Sequence, residues 1–535
     1  MKPTRRTFVK AGAAAAAFAG APSVARSQTA PSAARTIKAV MHGDLRVFDP
    51  IWTTANMTAY HGAMVYDTLF GLTEKLDAKP QMVEKFNLSD DKLTWTFQLR
   101  DGLKFSDGQA VTSDDVIPSI RRWAARDGAG QHMMARVKGI EKKDDKTFTI
   151  ELKERYGLVI DALAKTGTPI CFMMRKKDAE TDPNQQVTAN IGSGPFTFNE
   201  KETKQGVQYV YDRNPGYVPR TDAPDGITGA KIVKVDRAIF NNIGDPQTAM
   251  AALQAGEIDY YETPTIDLLG NLENDKNIKV DVFNPAGSAI WMRLNFLHPP
   301  FDNVDCRRAM LHLINQEDVL KATFGNAKYY RTCGSNYACG MPMENDENTD
   351  WFKGGQNLSK VAELFKKGGY DGRPIVVMQA TTIEFMKNSA ELVAQWLRKA
   401  GLNVSLEASD WGGVVTRRAV KKAPNDGGWN IFITSAGTAA VGNPIGMVGH
   451  SAVGEASWFG WPKDELNEKL RDKWAAAEGL DAQRAVAREL QKNAWDFVPH
   501  VWMGQYLQPC AYRTSTSGWL KVAEVIPFWN VEKKA

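Results

Sequence analysis

From Ala289 onward the chain alternates short apolar strands with amphipathic helices, and that alternation restricts it to layered α/β architectures. Strand character at Ala289–Asn295, Ile375–Gln379, Asn403–Glu407 and near His500–Met503 is separated by helical periodicity. The helices are expected over Val304–Leu320, Leu358–Lys367, Phe385–Ala400, Lys463–Ala477 and Ala482–Ala494, with Gly368-Gly369 closing the second of them. The first half is more mixed. Ile37–Val47 reads as a strand and Thr58–Phe70 as a helix ended by Gly71. Thr94–Leu99, the turn Asp101-Gly102 and Leu103–Phe105 read as a hairpin. Thr112-Ser113-Asp114-Asp115 has the form of a capping box, with Asp in place of Glu or Gln, and opens a helix carrying Val116, Ile120 and Trp123. Thr147–Leu152, Phe196–Phe198, Val207–Asp212 and Ile258–Tyr261 read as strands, and Thr248–Ala255 as a short helix stopped by Gly256.

A chain of 535 residues with 43% hydrophobic and 24% charged side chains has the make-up of a folded protein of several domains. Its mean hydropathy is −0.37 and no apolar run reaches the ~18–20 residues that span a bilayer, which excludes a helical channel or permease. The formal net charge of +4 is misleading, because five basic residues (Lys2, Arg5, Arg6, Lys10, Arg26) and no acid fall in the first 27 positions. Without that segment 61 basic residues face 62 acidic ones, too even a balance to supply the field that steers a protein to nucleic acid.

Those first residues are expected to be an export signal. A charged start leads into the weakly apolar stretch Ala11–Gly20, then Pro22 and the small residues Ser23, Ala25 and Ser27. Arg5-Arg6 followed by Phe8 and Lys10 resembles the twin-arginine signal, and cleavage after Ala25 or Ser27 fits equally. The first cysteine is Cys171, so no lipid anchor is expected and the product is read as a free periplasmic protein. Of five cysteines, Cys333 and Cys339 share a Gly/Asn/Tyr loop, and an oxidising compartment permits their pairing. Cys171, Cys306 and Cys510 sit among apolar or helical residues and read as buried thiols.

Several phrases are more specific. They are Leu99-Arg100-Asp101-Gly102-Leu103-Lys104-Phe105-Ser106-Asp107-Gly108 with Val111–Val116, Gly192-Ser193-Gly194-Pro195-Phe196, Arg213-Asn214-Pro215-Gly216-Tyr217, Ala252–Asp259, and Asn295-Phe296 through Pro300-Phe301-Asp302-Asn303 to Arg307-Arg308-Ala309. Together, and in this order from about Ile37 to the C-terminus, they resemble the family 5 extracellular solute-binding proteins, the peptide- and nickel-binding receptors of ABC importers. The resemblance implies an α/β, two-lobed periplasmic-binding-protein clamshell (class II-like, cluster C) with an extra domain in lobe I. Lobe I is expected over 28–71, 191–283 and 505–535, the extra domain over 72–190 and lobe II over 284–504. The lobes would close over a small organic solute and present it to ABC permease subunits in the membrane; the protein is expected to be a monomer without a cofactor.

The resemblance places Phe48–Asn56, Asn284–Trp291, Tyr329–Met341, Ala408–Trp411 and Thr434–Pro444 at the lobe interface. The ligand-binding candidates drawn from these loops are Trp52, Asn56, Ser288, Trp291, Arg331, Trp411, Gly437, Thr438 and Ala440. Tryptophan faces suit an apolar, planar or cationic ligand. Arg331 lies near where some relatives hold a carboxylate. Peptide-binding relatives carry an Asp shortly before the Pro444 position to hold the ligand's α-amino group. Here Ala440 falls about there, and Thr434–Pro444 contains no acid. A buried ammonium without an anion costs several kcal/mol. The ligand is then a modified peptide, a neutral amphiphile or an anion, unless Asp410, Glu262 or Asp44 takes over. His298 and His450, the loop histidines nearest the lobe II motifs, have no partner near in sequence, so no metal is expected.

An enzyme is the alternative from another class. Gly449-His450-Ser451-Ala452-Val453-Gly454 approaches G-x-S-x-G, but its second glycine falls one residue late for a nucleophile elbow. H-E-x-x-H and the P-loop pattern are both missing. A hydrolase, and a chemosensory or chaperone-like receptor on the same clamshell, stay open as alternatives to transport.

Overall fold

The computed structural model describes residues 32–477, 479–522 and 524–534, so the expected signal at 1–27 lies outside the described residues. Two sheets organise the chain. In the first, which has seven strands, Thr36–Val40 pairs in parallel with Arg237–Asn241 on one side and Tyr260–Tyr261 on the other. Gln208–Arg213 and Phe196–Phe198 continue beyond Arg237–Asn241 in antiparallel register. At the opposite edge Pro509–Arg513, from the end of the chain, inserts between Tyr260–Tyr261 and Ile278–Val282.

The second sheet has six strands, in the order Tyr330–Arg331, His500–Tyr506, Ser288–Leu294, Ile431–Gly437, Ile375–Ala380 and Val404–Ser409. Its inner strands Ile375–Ala380 and His500–Tyr506 are buried at every position. That is why they read as continuous apolar runs, since both faces of the sheet are covered. Helices Val304–Leu313, Gln316–Phe324, Leu358–Lys367 and Glu384–Lys399 pack together as a layer on one face, and on the other Met378 and Phe432 pack against Val414, Trp429 and Trp461. A smaller antiparallel sheet joins Val83–Leu88, Thr94–Leu99, Thr147–Leu152 and Val137–Lys142. Thr94–Leu99 buries alternate residues, and the Phe97 and Phe148 rings stack 5.0 Å apart across its pairing.

Local chemistry explains where the elements depart from expectation. The helix expected over Val304–Leu320 is two helices, because Asn315 accepts from the Asp318 amide and caps a second start at Gln316. The helix expected over Thr58–Phe70 spans Asn56–Val65, and Phe70–Leu72 is a strand paired with Ala78–Pro80. The strand expected over Ile37–Val47 ends at Val40, where the Glu262 carboxylate takes the His42 amide. Leu103–Phe105 forms no hairpin arm, and Thr94–Leu99 pairs instead with Val83–Leu88 and Thr147–Leu152. Thr112 does cap its helix, with its amide donating to Asp115 at 2.9 Å. Gly192-Ser193-Gly194 passes so close to the backbone of Val65 that a Cβ at Gly192 would collide with the Val65 carbonyl oxygen.

Cys333 and Cys339 are joined as a disulfide, and Cys171, Cys306 and Cys510 are buried free thiols. A thiol-specific reagent should therefore find no fast-reacting group in the native protein and three in denaturant. Closing so short a loop limits the entropy that the crosslink removes from the unfolded chain. Cys333→Ser with Cys339→Ser should lower the unfolding free energy by about 2 kcal/mol in urea titrations.

Candidate functional site

The strand ends of the two large sheets face each other across a cleft of about 850 Å³. From the first sheet come the chain after Thr36–Val40 (His42 to Arg46) and the residues after Tyr260–Tyr261, with Glu262 foremost. The second sheet contributes Ser288, Trp291 and the end of strand Ile431–Gly437. The turn Asp410–Gly412 and the Arg418 side chain complete that wall.

The acids of the first wall are engaged by the protein itself. Glu262 accepts from the His42 amide (2.7 Å), from His42 Nδ1 (2.9 Å) and from the Tyr60 hydroxyl (3.0 Å). Burial pulls the His42 imidazole pKa down, but the Glu262 carboxylate more than reverses this and leaves it raised above 6.5. Asp44 accepts from the Tyr209 hydroxyl and pairs with Arg46. Asp410 caps the helix Trp411–Arg417 through the Gly413 amide (2.7 Å) and forms an ion pair with Arg46 across the cleft mouth. That pair is largely solvated and contributes little to holding the two walls together.

Arg418 is different. It is 2% exposed, and its Nη2 donates to Thr54 Oγ1 (2.9 Å) on the opposite wall. The guanidinium lies 5.6, 5.3 and 4.8 Å from the ring centres of Trp411, Trp458 and Phe459. Its Nε is buried without a hydrogen-bond acceptor, and among the described residues no carboxylate pairs with it. Burial alone pulls its pKa down to about 9. Glu524, from the C-terminal segment, also lines the cleft: burial raises its pKa, the nearby Lys165 ammonium and the Ala440 amide act the other way, and its Oε1 is left without a donor.

Of the residues singled out from sequence, Asn56, Ser288, Trp291, Trp411, Gly437 and Ala440 line this cleft. Trp52, Arg331 and Thr438 do not, and each has a structural employment. Trp52 donates from Nε1 to the Asn184 carbonyl and packs under Arg126. Arg331 donates to the Cys339 carbonyl at the outer edge of the second sheet, so the carboxylate role expected of it has no geometry here. Thr438 is fully buried, and its amide donates to the Gly287 carbonyl (3.0 Å) at the start of a short helix. Trp291 contributes mainly packing, 5.2 Å from Trp458 and 5.9 Å from Trp502 between ring centres. Arg418 and Glu524 were missed. Arg418 follows a helix opened by a cleft loop, a signal that was available; nothing local marks Glu524. Among the described residues no group of three or more His, Cys, Asp or Glu side chains is placed to hold a metal ion.

The family model of bacterial extracellular solute-binding proteins, family 5 (middle), matches residues 77–453. The chain belongs to this family, which serves solute capture and is not an enzyme family. A protein of Sinorhizobium fredii (strain NBRC 101917 / NGR234) named as a probable peptide ABC transporter periplasmic-binding protein is 45% identical over the whole of both chains. A glutathione-binding protein of Escherichia coli (strain K12) is 24% identical over 75% of each chain. Among solved structures, a Helicobacter pylori periplasmic binding protein in complex with a peptide superposes with TM-score 0.77 at 20% identity, covering 94% of this chain and 98% of that one. An Agrobacterium tumefaciens binding protein in complex with agropinic acid gives TM-score 0.77 at 18% identity, covering 94% and 99%. The fold is the two-lobed binding-protein architecture, and the chain is a solute-binding subunit of an ABC importer.

The His42–Glu262 pair gives the cleft a pH signature. A histidine whose folded pKa is raised contributes stability that is fully present below its unfolded value of about 6.5 and is lost as pH rises through the folded value. The difference in unfolding free energy between wild type and His42→Gln should therefore shrink as pH rises from about 6 to 8. A constant difference across that range would show that the imidazole does not titrate in this pair.

Proposed function

We propose that this is a periplasmic capture protein for a small peptide-like or amphiphilic organic solute that carries an acid group, exported by a twin-arginine-type signal and acting as a monomer. The observation that carries the reading is Arg418, a buried guanidinium on an aromatic wall of the cleft with no carboxylate partner among the described residues. A buried cation is costly until an anion reaches it, and a ligand carboxylate can take the planar fork in two parallel hydrogen bonds. The wide cleft and its Trp411 and Trp458 rings suit an apolar body attached to that acid. In this reading the two lobes are 28–71 with 191–283 and 505–535, and 284–504, with 72–190 an extra domain of the first. Strand pairing supports that division. Closure of the lobes buries the solute, and the closed form is what the permease receives. The 45% identical peptide-transporter relative supports the peptide-like class.

Native mass spectrometry of protein purified without denaturant tests the reading. The released molecule should be an acid. Arg418→Gln should lose it, with affinity falling at least about tenfold, since a charged hydrogen bond is removed. The variant should keep or gain thermal stability, because an unpaired buried charge is gone. A neutral molecule released from wild type, or retained unchanged by Arg418→Gln, would overturn the proposal.

A further inference from the structure

The cleft is not the only place where residues 28–283 meet residues 284–504. Helix Gly128–Arg136 and helix Glu465–Ala476 touch through their side chains. His132 Nε2 lies 2.9 Å from Asp472 Oδ1, and Arg136 Nη2 lies 2.6 Å from the same oxygen. At the start of the first helix, a Cβ on Gly128 would stand 3.8 Å from the Cα of Val448, which lines the cleft. Met133 and Tyr156 belong to one continuous buried apolar cluster with Leu470 and Trp474. Arg471, next to Asp472, donates to the Pro444 carbonyl (3.1 Å), so this helix is tied to the segment that carries Ala440 and Met447 into the cleft wall.

The hydrogen bonds around His132 suit only a neutral ring. Arg136 Nη1 stands 3.4 Å from His132 Nδ1, and a guanidinium can only donate, so Nδ1 must offer its lone pair. The Tyr156 hydroxyl, 3.1 Å from the same nitrogen, donates to it as well. The single ring proton therefore sits on Nε2 and points at Asp472. A second proton would set a ring N–H against the Arg136 guanidinium. The charges around the ring are of both signs. Residues 72–190 supply Arg136, its partner Glu154, and Asp161, which acts on Tyr156; the facing helix supplies Asp472, and Arg471 paired with Glu468. Asp472 favours a charged imidazole, but it is more than half exposed and shared with Arg136, whereas His132 is buried. Burial first, then the Arg136 and Arg471 guanidiniums, outweigh it and pull the imidazole pKa down to about 4. A ring released to water returns to its ordinary value of about 6.5.

We propose that His132 is a positioning residue for solute capture: the second lobe docks on the 72–190 region only while this ring is neutral, so that acid opens the clamp. This rests on the two-lobe reading above. The sign follows from linkage. A histidine whose pKa is lowered in the docked state contributes to docking in full above its free value of about 6.5, and that contribution is lost as pH falls from there toward the docked value. The effect acts through lobe closure, so it applies to any solute that closure buries, whether or not the solute itself titrates.

Single-molecule fluorescence transfer tests the proposal, with dyes on Asp90→Cys and Lys492→Cys, exposed positions in the 72–190 region and the second lobe. It reads the ratio of closed to open molecules. With an otherwise wild-type chain that ratio should fall about tenfold between pH 7 and pH 5, with alanyl-phenylalanine present or absent. His132→Gln offers an amide N–H to Asp472 and a carbonyl to Tyr156 and never titrates. It should keep the pH 7 ratio and lose the fall, a result that a merely structural residue would not give. His42 titrates in the same range, and comparing the two proteins cancels its share. The wild-type profile needs no substitution at the contact and holds even where His132→Gln misfolds. A ratio independent of pH in wild type, or a fall that survives in His132→Gln, overturns the role of His132 and leaves the two-lobe reading standing. A single transfer efficiency at every pH, with and without alanyl-phenylalanine, overturns lobe closure and the inference with it.

Discussion

The crossing of the chain between its two large sheets is the constraint on which the rest depends. The chain passes from Ile278–Val282 to Ser288–Leu294, and returns from His500–Tyr506 to Pro509–Arg513. The returning strand pairs with the outgoing one on both sides of the gap: Ser288 opposite Tyr506 in the second sheet, and Val282 opposite Pro509 in the first. Both crossings are short and lie side by side. A relative rotation of the sheets is thus absorbed by Phe283–Gly287 and Leu507–Gln508, with Gly287 at φ +76° where a side chain would be strained. Neither sheet can be completed without the other's neighbour, because Pro509–Arg513 is an interior strand of the first sheet.

Buried charge separates scaffold from site. The protein buries several arginines, and most are satisfied. Arg293 donates to the carbonyls of Phe459 (2.6 Å), Pro499 (3.1 Å) and Gly449 (3.2 Å). Arg307 holds the Phe301 (2.9 Å) and Phe497 (3.0 Å) carbonyls and so ties a helix start to a helix end. Arg122 pairs with buried Asp49 at 2.7 Å, fixing the loop before helix Asn56–Val65 to the smaller sheet's domain. Low pKa values alone would not distinguish these groups, since burial lowers Arg293 to about 9 just as it does Arg418. What distinguishes Arg418 is position: it lines the cleft, and among the described residues no carboxylate pairs with it.

The layered fold was legible because its determinants are local. Helix stops such as Gly256 and the Thr112–Asp115 cap each act within a few residues, and buried strands announce themselves as apolar runs. Breaks set by one capping side chain, as at Asn315, were lost inside a continuous amphipathic pattern. The cleft was half legible. Family phrases placed its loops, yet loop membership does not tell whether Trp52 faces the cavity or the Asn184 carbonyl. The absence of an acid from Thr434–Pro444 was visible, but the carboxylate occupying that space comes from a segment some eighty positions away in sequence, brought there only by sheet closure. Asp410, Glu262 and Asp44 were reasonable stand-ins by residue type; in three dimensions each has a partner already.

Position also links binding to motion. Arg418 is carried by the second lobe but donates to Thr54 of the first, and Glu524 is carried by the first but rests on Gly437 of the second. Each charge is therefore dry only when the lobes are together. In an open arrangement water solvates both groups at little cost. In an empty closed one, Arg418 is stripped of water without a counter-charge, so closure without ligand is disfavoured. A solute that supplies the opposite charge removes that penalty in the closed state alone, and such differential affinity is the only way a ligand can shift the equilibrium. The exposed Arg46–Asp410 pair across the mouth is too weak to hold the lobes shut unaided. The permease then meets a closed form whose population reports that a solute is inside.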